Sequence, residues 1–485
     1  MKNKNYSNIV LIPLGLSLVS YTFYKAINSS FTHDESFTYS NYVNISISDI
    51  INYTNCPIIP NNHIFNTLLM KLSQSFLGNS EFALRLPNLL IHILYIVFSI
   101  LWLKKFKNAT LLISGFIVLN VNVYLLDFFS IARGYGLSSG LMFISFYYCY
   151  EYFKTLKSKY NWLSFFFAVF AVWSNFTVLN YYVSLLGVFF IFLIVRMFVE
   201  EKSVGRKIKL FIFESLPVIL ISFILYKLIS KPLETIQGTL FGPEDGFYHD
   251  TIRSLVFSTE RFYNENLVTV ICLFVFLVLI VSLLYYTYDY VKKRFNILQS
   301  PHLLVLLILF LAAFSTIAQH YLYKTQFLQD RTALFYIVLF NICFVYLYYN
   351  LLQKSKNTRV LHIGFAVYPV FLLVIFICHF NPYYYFDWKY DRNTKKMLTE
   401  LQNDFESSPI KSTKINLGIT WLFEPAIKYY RDTKNLNWLN PVNRGGYDKG
   451  SFDYYYIWND KDFITKNKKT IVKQYDTSDS ILAKN

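Results

Sequence analysis

The chain is patterned as apolar runs about as long as a bilayer is thick, joined by short polar segments. Eleven runs are read near 8–27, 87–103, 109–127, 134–153, 161–176, 178–198, 208–229, 266–290, 301–319, 332–350 and 359–380. About 20 apolar residues in a helix span roughly 30 Å of hydrocarbon, so each run is expected to cross a membrane. The stretch 161–198 is too long for one crossing and is interrupted by Ser174-Asn175, so it reads as a hairpin. The first run follows Lys2 and Lys4, like the head of a signal peptide. No small-residue cleavage site follows it, and it is expected to stay as the first helix.

Composition agrees. Of 485 residues 54% are hydrophobic and 16% charged, against about 25% charged in a soluble domain. The net charge of +16 does not form a basic stripe interleaved with aromatics, so nucleic acid is excluded as a partner. The cations fall instead in alternate joints: Lys2/Lys4, Lys104/Lys105/Lys107, Lys154/Lys157/Lys159, Lys202/Arg206/Lys207/Lys209, Lys292/Lys293/Arg294 and Lys354/Lys356/Arg359. By the positive-inside rule these joints are cytoplasmic. The expectation is a multi-pass protein of a cytoplasmic-type (inner) membrane, with a cytoplasmic N-terminus and the 28–86 loop, the 230–265 loop, the 320–331 connection and the C-terminal segment outside. Cys149, Cys272, Cys343 and Cys378 lie in apolar runs and Cys56 alone in a long loop, so no disulfide framework is expected.

Two domains are expected, a membrane module over 1–380 and a small extracytoplasmic α/β domain over 381–485. In the second, helices are read at 395–405 and 424–431 and strands at 414–419, 454–457 and 470–474. A structural cap and an acceptor-recognition domain are both open readings of it.

Candidate chemistry collects in the outer joints. His33-Asp34-Glu35 directly follows the first run. Adjacent carboxylates there are either solvated surface or a general base for an acceptor hydroxyl, which is a poor nucleophile until a carboxylate takes its proton. A divalent cation near them is possible but not required. Asn62-His63 precedes an amphipathic stretch with apolar residues at Ile64, Leu68, Leu72 and Phe76, a face suited to the interface plane. Arg85 is an interfacial anchor or a phosphate ligand, and Pro87 suits the first turn of the second helix. Asp127 closes the third run, and Arg133 follows in Ala132-Arg133-Gly134-Tyr135-Gly136. Arg133 either pairs with Asp127 or offers its fork to a phosphate. Gln329-Asp330-Arg331 adds a second cation before the tenth run.

The acidic pair opening a long first loop, Asn-His before an amphipathic helix, Arg85-Leu86-Pro87 entering the second run and Ala132-Arg133-Gly134-Tyr135 after the third together resemble the GT-C membrane glycosyltransferases. The likeness is to the protein O-mannosyltransferase and lipid A aminoarabinose transferase group, covers the first 200 residues, and continues in Asp330 to Phe335. The loop histidine departs from the pattern, being followed by Ile64-Phe65 where many relatives carry two prolines. The resemblance implies a polyprenyl-phosphate sugar donor and inverting transfer at the outer face to a hydroxyl of an envelope lipid, glycan or protein. It implies Asp34 as base with Glu35 beside it, and Arg133 at the donor phosphate, with Arg85 and Arg331 as further phosphate candidates and His33, His63 and Asp127 as other site candidates. The rival classes are a lipid-linked oligosaccharide ligase or polymerase and a lipid or sugar transporter. The absence of a repeat between the two halves speaks against a transporter.

Overall fold

The computed structural model describes residues 2–200, 203–236, 243–292, 300–407 and 414–485. Of the basic joints, Lys202, Lys293 and Arg294 lie outside the described residues, as does 237–242 of the 230–265 loop.

Each of the eleven apolar runs contains helix. Among the described residues eight helices are long and apolar enough to cross a membrane. They are Val10–Asn28, Glu81–Phe106, Phe176–Val199, Val204–Ile236, Glu265–Tyr288, Pro301–Tyr323, Phe335–Lys354 and Thr358–Cys378. A ninth is added if Ala109–Asn120 and Val123–Ser130, bent by 59°, count as one broken span. The count of eleven is therefore not confirmed among the described residues. Ser158–Ser174 has only 17 residues. Gly134–Thr155 carries Ser138, Ser139, Ser145, Glu151 and Lys154 and is buried on almost every face, so protein surrounds it. A chain with eight such helices is a multi-pass membrane protein.

The breaks have local causes. The 161–198 stretch divides at Asn175, whose backbone leaves the helix (φ −156°, ψ 114°) and whose side chain accepts from the Thr177 N–H. Asn122 caps Val123–Ser130 by accepting from the Leu125 N–H, which sets the bend after Ala109–Asn120. Pro87 corrects the sequence expectation. The helix begins at Glu81 behind a Ser80 cap, which places the proline in its interior. The Ala83 carbonyl, four residues before the proline and deprived of its usual N–H partner, accepts from Ser73 instead.

The C-terminal segment forms a four-stranded sheet in the order β1 (Leu417–Ile419), β2 (Tyr454–Trp458), β4 (Ser480–Lys484), β3 (Thr470–Tyr475). The β1–β2 pair is parallel and the other two pairs are antiparallel. β2 is covered on both faces. Tyr454 and Tyr456 pack with the helices Thr394–Ser407 and Glu424–Thr433, whereas Tyr455 and Ile457 pack with Ile464 of Lys461–Lys466. This alternation explains a continuous apolar strand in a small domain. β4 was missed in the sequence; its Ser-Ile-Leu-Ala-Lys run lacks the β-branched density that marks a strand.

The sheet domain is clamped to the first loop. The Tyr430 hydroxyl accepts from the Phe31 N–H at 2.7 Å and reaches Glu81 at 3.0 Å. The Tyr429 hydroxyl donates to the Asn79 carbonyl, and Lys395 pairs with Glu81 at 2.8 Å.

Candidate active site

The first loop turns at once into a short helix, His33–Thr38, capped by Thr32. Thr32-His33-Asp34-Glu35 is a capping box: the Thr32 hydroxyl accepts from the Glu35 N–H, and the Glu35 carboxylate accepts from the Thr32 N–H. This pattern is legible in the sequence. It rotates the two adjacent carboxylates to different partners.

Glu35 turns inward. Its carboxylate is gripped by Arg85 through Nε at 2.8 Å and Nη2 at 2.6 Å, and it also accepts from the Ala132 N–H at 2.7 Å. Arg85 directs its remaining N–H groups to the carbonyls of Ala26, Ser29 and Ser30. All five donors of the guanidinium are used and both side chains are 0% exposed. The pair ties the end of the first helix, the short loop helix and the start of the second long helix together, and Arg85 has no donor left for a phosphate.

Asp34 turns outward, with its side chain 17% exposed. Its carboxylate stands 3.7 Å from Arg133 and 3.6 Å from Arg331, and the Trp388 side chain hydrogen-bonds to it. Burial pushes the Asp34 carboxyl up, but the two guanidinium groups outweigh it and hold the group below the usual carboxylate range. Neither contact is a hydrogen bond of ordinary length. Arg133 is buried and hydrogen-bonds only through Nη1, to Thr38 Oγ1 at 3.0 Å and the Asn61 carbonyl at 2.9 Å, leaving Nε without a partner among the described residues. Arg331 lies over the Trp388 ring, 37% exposed, with Asp387 3.8 Å away on its other side. Two guanidinium groups with unused donors therefore converge beside one accessible carboxylate.

Asp127 does not pair with Arg133. It is buried between Lys25, at 2.5 Å, and Arg261, at 2.7 Å. Arg133 is drawn away by Thr38 and Asn61, while Arg261, at a positive φ of 58° after the Ser254–Glu260 helix, reaches Asp127 across the bundle. His63 is buried, its Nδ1 3.1 Å from the Ser174 carbonyl and its ring edge-on to Tyr135 at 4.7 Å. Burial, reinforced by Arg133, keeps it well below the usual imidazole range and hence neutral. Gly134 allows this approach, since a Cβ there would stand 1.9 Å from the Ser174 carbonyl oxygen and 2.7 Å from the imidazole. His33 faces the sheet domain, with Nδ1 2.7 Å from the Leu422 carbonyl and its backbone N–H donating to Asp391 at 2.6 Å. His33, Asp34 and Glu35 thus diverge and do not form a cation site. A separate trio, Asp245, His249 and Asp250, brings ligand atoms within 4.8 Å of one another, a grouping that acidic surfaces often show without an ion.

Sequence reasoning missed Lys25, Arg261, Asp387 and Trp388. The last two follow the final membrane run, and only folding of the tail back over the bundle carries them to Asp34 and Arg331. A cavity of about 320 Å³ is lined among others by Phe274, Leu309, Phe340, Tyr368, Leu372 and Glu260, the chain neighbour of Arg261; Asp34, Arg133 and Arg331 are not among its lining residues. Its walls are almost wholly apolar and suit a hydrocarbon chain.

No family model matches the chain, and no curated protein sequence matches it. Among solved structures it is similar to ArnT from Cupriavidus metallidurans in the apo state, with 9% identity, 97% of each chain covered and a TM-score of 0.44. It is also similar to the same protein bound to undecaprenyl phosphate, with 10% identity, 98% of this chain and 97% of that one covered, and a TM-score of 0.47.

Proposed function

We propose that the chain is a GT-C-type membrane glycosyltransferase that moves a sugar from a polyprenyl-phosphate donor to a hydroxyl of an envelope lipid, glycan or protein. The observation that carries this reading is the accessible Asp34 carboxylate set 3.6–3.7 Å from two guanidinium groups with unused donors. Phosphate oxygens take hydrogen bonds from Arg133 and Arg331, and the apolar cavity accepts part of the lipid chain. The Asp34 oxygen accepts the proton of the acceptor hydroxyl as that oxygen bonds to the anomeric carbon. The bond from the anomeric carbon to the phosphate oxygen breaks on the opposite face, and the lipid phosphate leaves with its charge held by the arginines. No general acid is needed, because the departing phosphate is already a stable anion.

Phosphate binding also changes Asp34. The arginines that depress its basicity in the free protein turn part of their charge to the donor, so the carboxylate becomes a better base once donor is bound. On this reading the N-terminus is cytoplasmic, and the domain over 381–485 and the active site face outward, as the basic joints suggest.

The test is Asp34→Asn in purified protein in nanodiscs, assayed for transfer from a polyprenyl-phosphate sugar to an envelope extract. The expected loss in rate is ~10²–10⁴-fold, with polyprenyl-phosphate binding retained. Full transfer by folded Asp34→Asn protein removes the assigned base, and movement of an intact lipid-linked sugar without transfer points to a flippase.

A further inference from the structure

The sheet domain leaves one aromatic side chain conspicuously uncovered. Among the described residues after 385, the exposed large hydrophobics are Trp421, at 52%, and Ile471, at 44%. Trp421 stands on the turn Trp421–Phe423, between β1 and the helix Glu424–Thr433. That turn is fixed from both sides. The Thr420 N–H donates to the Tyr456 carbonyl, and Phe423 is fully buried in the domain core. The Trp421 ring is therefore held at the surface by its neighbours.

The surroundings of Trp421 are polar and arranged. The Arg444 guanidinium lies 5.7 Å from the Trp421 ring and 6.0 Å from the Phe37 ring. Its Nε donates to Glu424 at 3.0 Å, and its Nη2 is 3.4 Å from His33 Nε2. His33 packs edge-on against Trp421 at 6.0 Å. Because a carbonyl only accepts, the contact with Leu422 places the imidazole proton on Nδ1 and leaves the Nε2 lone pair toward Arg444. Phe37 belongs to the His33–Thr38 helix that carries Asp34, and His33 is the residue before Asp34. The exposed tryptophan, the arginine–carboxylate pair and the candidate base thus share one rigid connection.

From this geometry we infer that Trp421, Arg444 and Glu424 form the acceptor subsite of the proposed transferase, and that it takes the ring of a sugar, so that the acceptor is a glycan. The inference rests on the transferase reading for the word acceptor, but the subsite itself stands on its own side chains. The part of the indole left open beside Arg444 matches the C–H face of a pyranose, which is apolar on one side and ringed by hydroxyls. A hydroxyl both donates and accepts. Arg444 supplies donors and Glu424 supplies acceptor oxygens, and the 3.0 Å contact between them cancels most of the local charge. A phosphate would meet the Glu424 carboxylate, and a lipid chain would meet two charged groups. A neutral polyhydroxylated ring satisfies all three side chains. A sugar ring on Trp421 lies against His33, the chain neighbour of Asp34.

The experiment measures binding without transfer. The full-length protein in nanodiscs is titrated, with no donor present, with soluble tetrasaccharides of neutral hexose, N-acetylhexosamine and uronic acid, and binding is followed by calorimetry. At least one neutral series is expected to saturate on the wild type. Trp421→Ala should weaken it roughly tenfold or more, and Trp421→Tyr should recover part of the loss, since one aromatic face is worth about a factor of ten. Arg444→Ala should weaken it by a similar factor, whereas Ile471→Ser, on the other exposed apolar residue, should bind as the wild type does. Affinity for polyprenyl phosphate, measured in the same nanodiscs, should stay unchanged in Trp421→Ala. The proposal is overturned if no oligosaccharide saturates the wild type, if only the charged series binds, or if Trp421→Ala and Arg444→Ala bind as the wild type does. Saturable binding with no transfer from any polyprenyl-phosphate sugar leaves the sugar subsite standing and removes the transferase reading. Transfer to an envelope lipid or protein without oligosaccharide binding does the reverse.

Discussion

Asp34 and Glu35 are chain neighbours with the same charge, yet one carboxylate is sealed and the other is open. Glu35 meets Arg85 through two short hydrogen bonds, and every remaining donor of that arginine is satisfied by backbone carbonyls. Asp34 meets Arg133 and Arg331 only at 3.6–3.7 Å, and those arginines keep donors unused. A closed ion pair with all its hydrogen bonds made holds three segments in register and has nothing left for a ligand. An open one is a poor structural clamp and a ready anion site. Lys25–Asp127–Arg261 stands between the two, since it is buried and bonded at 2.5 and 2.7 Å yet leaves Arg261 Nε without a partner among the described residues.

The sharpest way to break this comparison is at the closed pair. Glu35→Ala leaves Arg85 as an uncompensated buried charge, for which the expected loss of stability is about 3–5 kcal/mol. Thermal unfolding in detergent should show it, and the double variant Glu35→Met/Arg85→Leu should regain much of it. By contrast Asp34→Asn should melt closer to the wild type, because its ion pairs are long, its carboxylate and Arg331 are partly exposed, and Arg133 keeps its hydrogen bonds to Thr38 and Asn61. Equal destabilisation by the two single variants would erase the distinction between the clusters.

A smaller effect separates fork from charge at the open cluster. Arg133→Ala should weaken polyprenyl-phosphate binding about ten- to a hundredfold, and Arg133→Lys should restore only part of it, because lysine keeps the charge but not the planar pair of donors. Binding can be read by calorimetry with the lipid phosphate alone. Unaltered affinity in Arg133→Ala would make the residue an anchor for Thr38 and Asn61 only.

The smallest predicted effect is a displacement in pH. Asp34 acts as a base only when ionised, so its contribution is present above its pKa and is lost as pH falls through it. With that pKa held below the usual range by Arg133 and Arg331, activity limited by Asp34 should persist down to pH values where an ordinary carboxylate begins to protonate. Arg133→Ala removes one of the two opposing charges, and the acid limb of its residual kcat/KM profile should move up by about one unit. An acid limb at the same pH in both proteins would mean that another group limits the rate.

The helices were legible in the sequence because hydropathy and length act locally. A run of apolar residues cannot satisfy its backbone in lipid except as a helix, whatever else the chain does. The same local logic located the break of the 161–198 stretch at Ser174-Asn175, and the Thr32–Glu35 capping box was there to be read as well. What a given helix faces was not local. Gly134–Thr155 has the length of a spanning helix, but only its neighbours decide that protein surrounds it. Partner choice among charges was likewise beyond the sequence. Asp127 lies six residues before Arg133 and pairs with Lys25 and Arg261 instead, because coulombic pairing follows distance in space and not along the chain. Residue types and spacing picked out Asp34, Arg133 and Arg331 as candidates. Only the folded chain, by bringing Asp387 and Trp388 back over the bundle and closing Arg85 onto Glu35, decided which arginines keep hydrogen bonds free for a ligand.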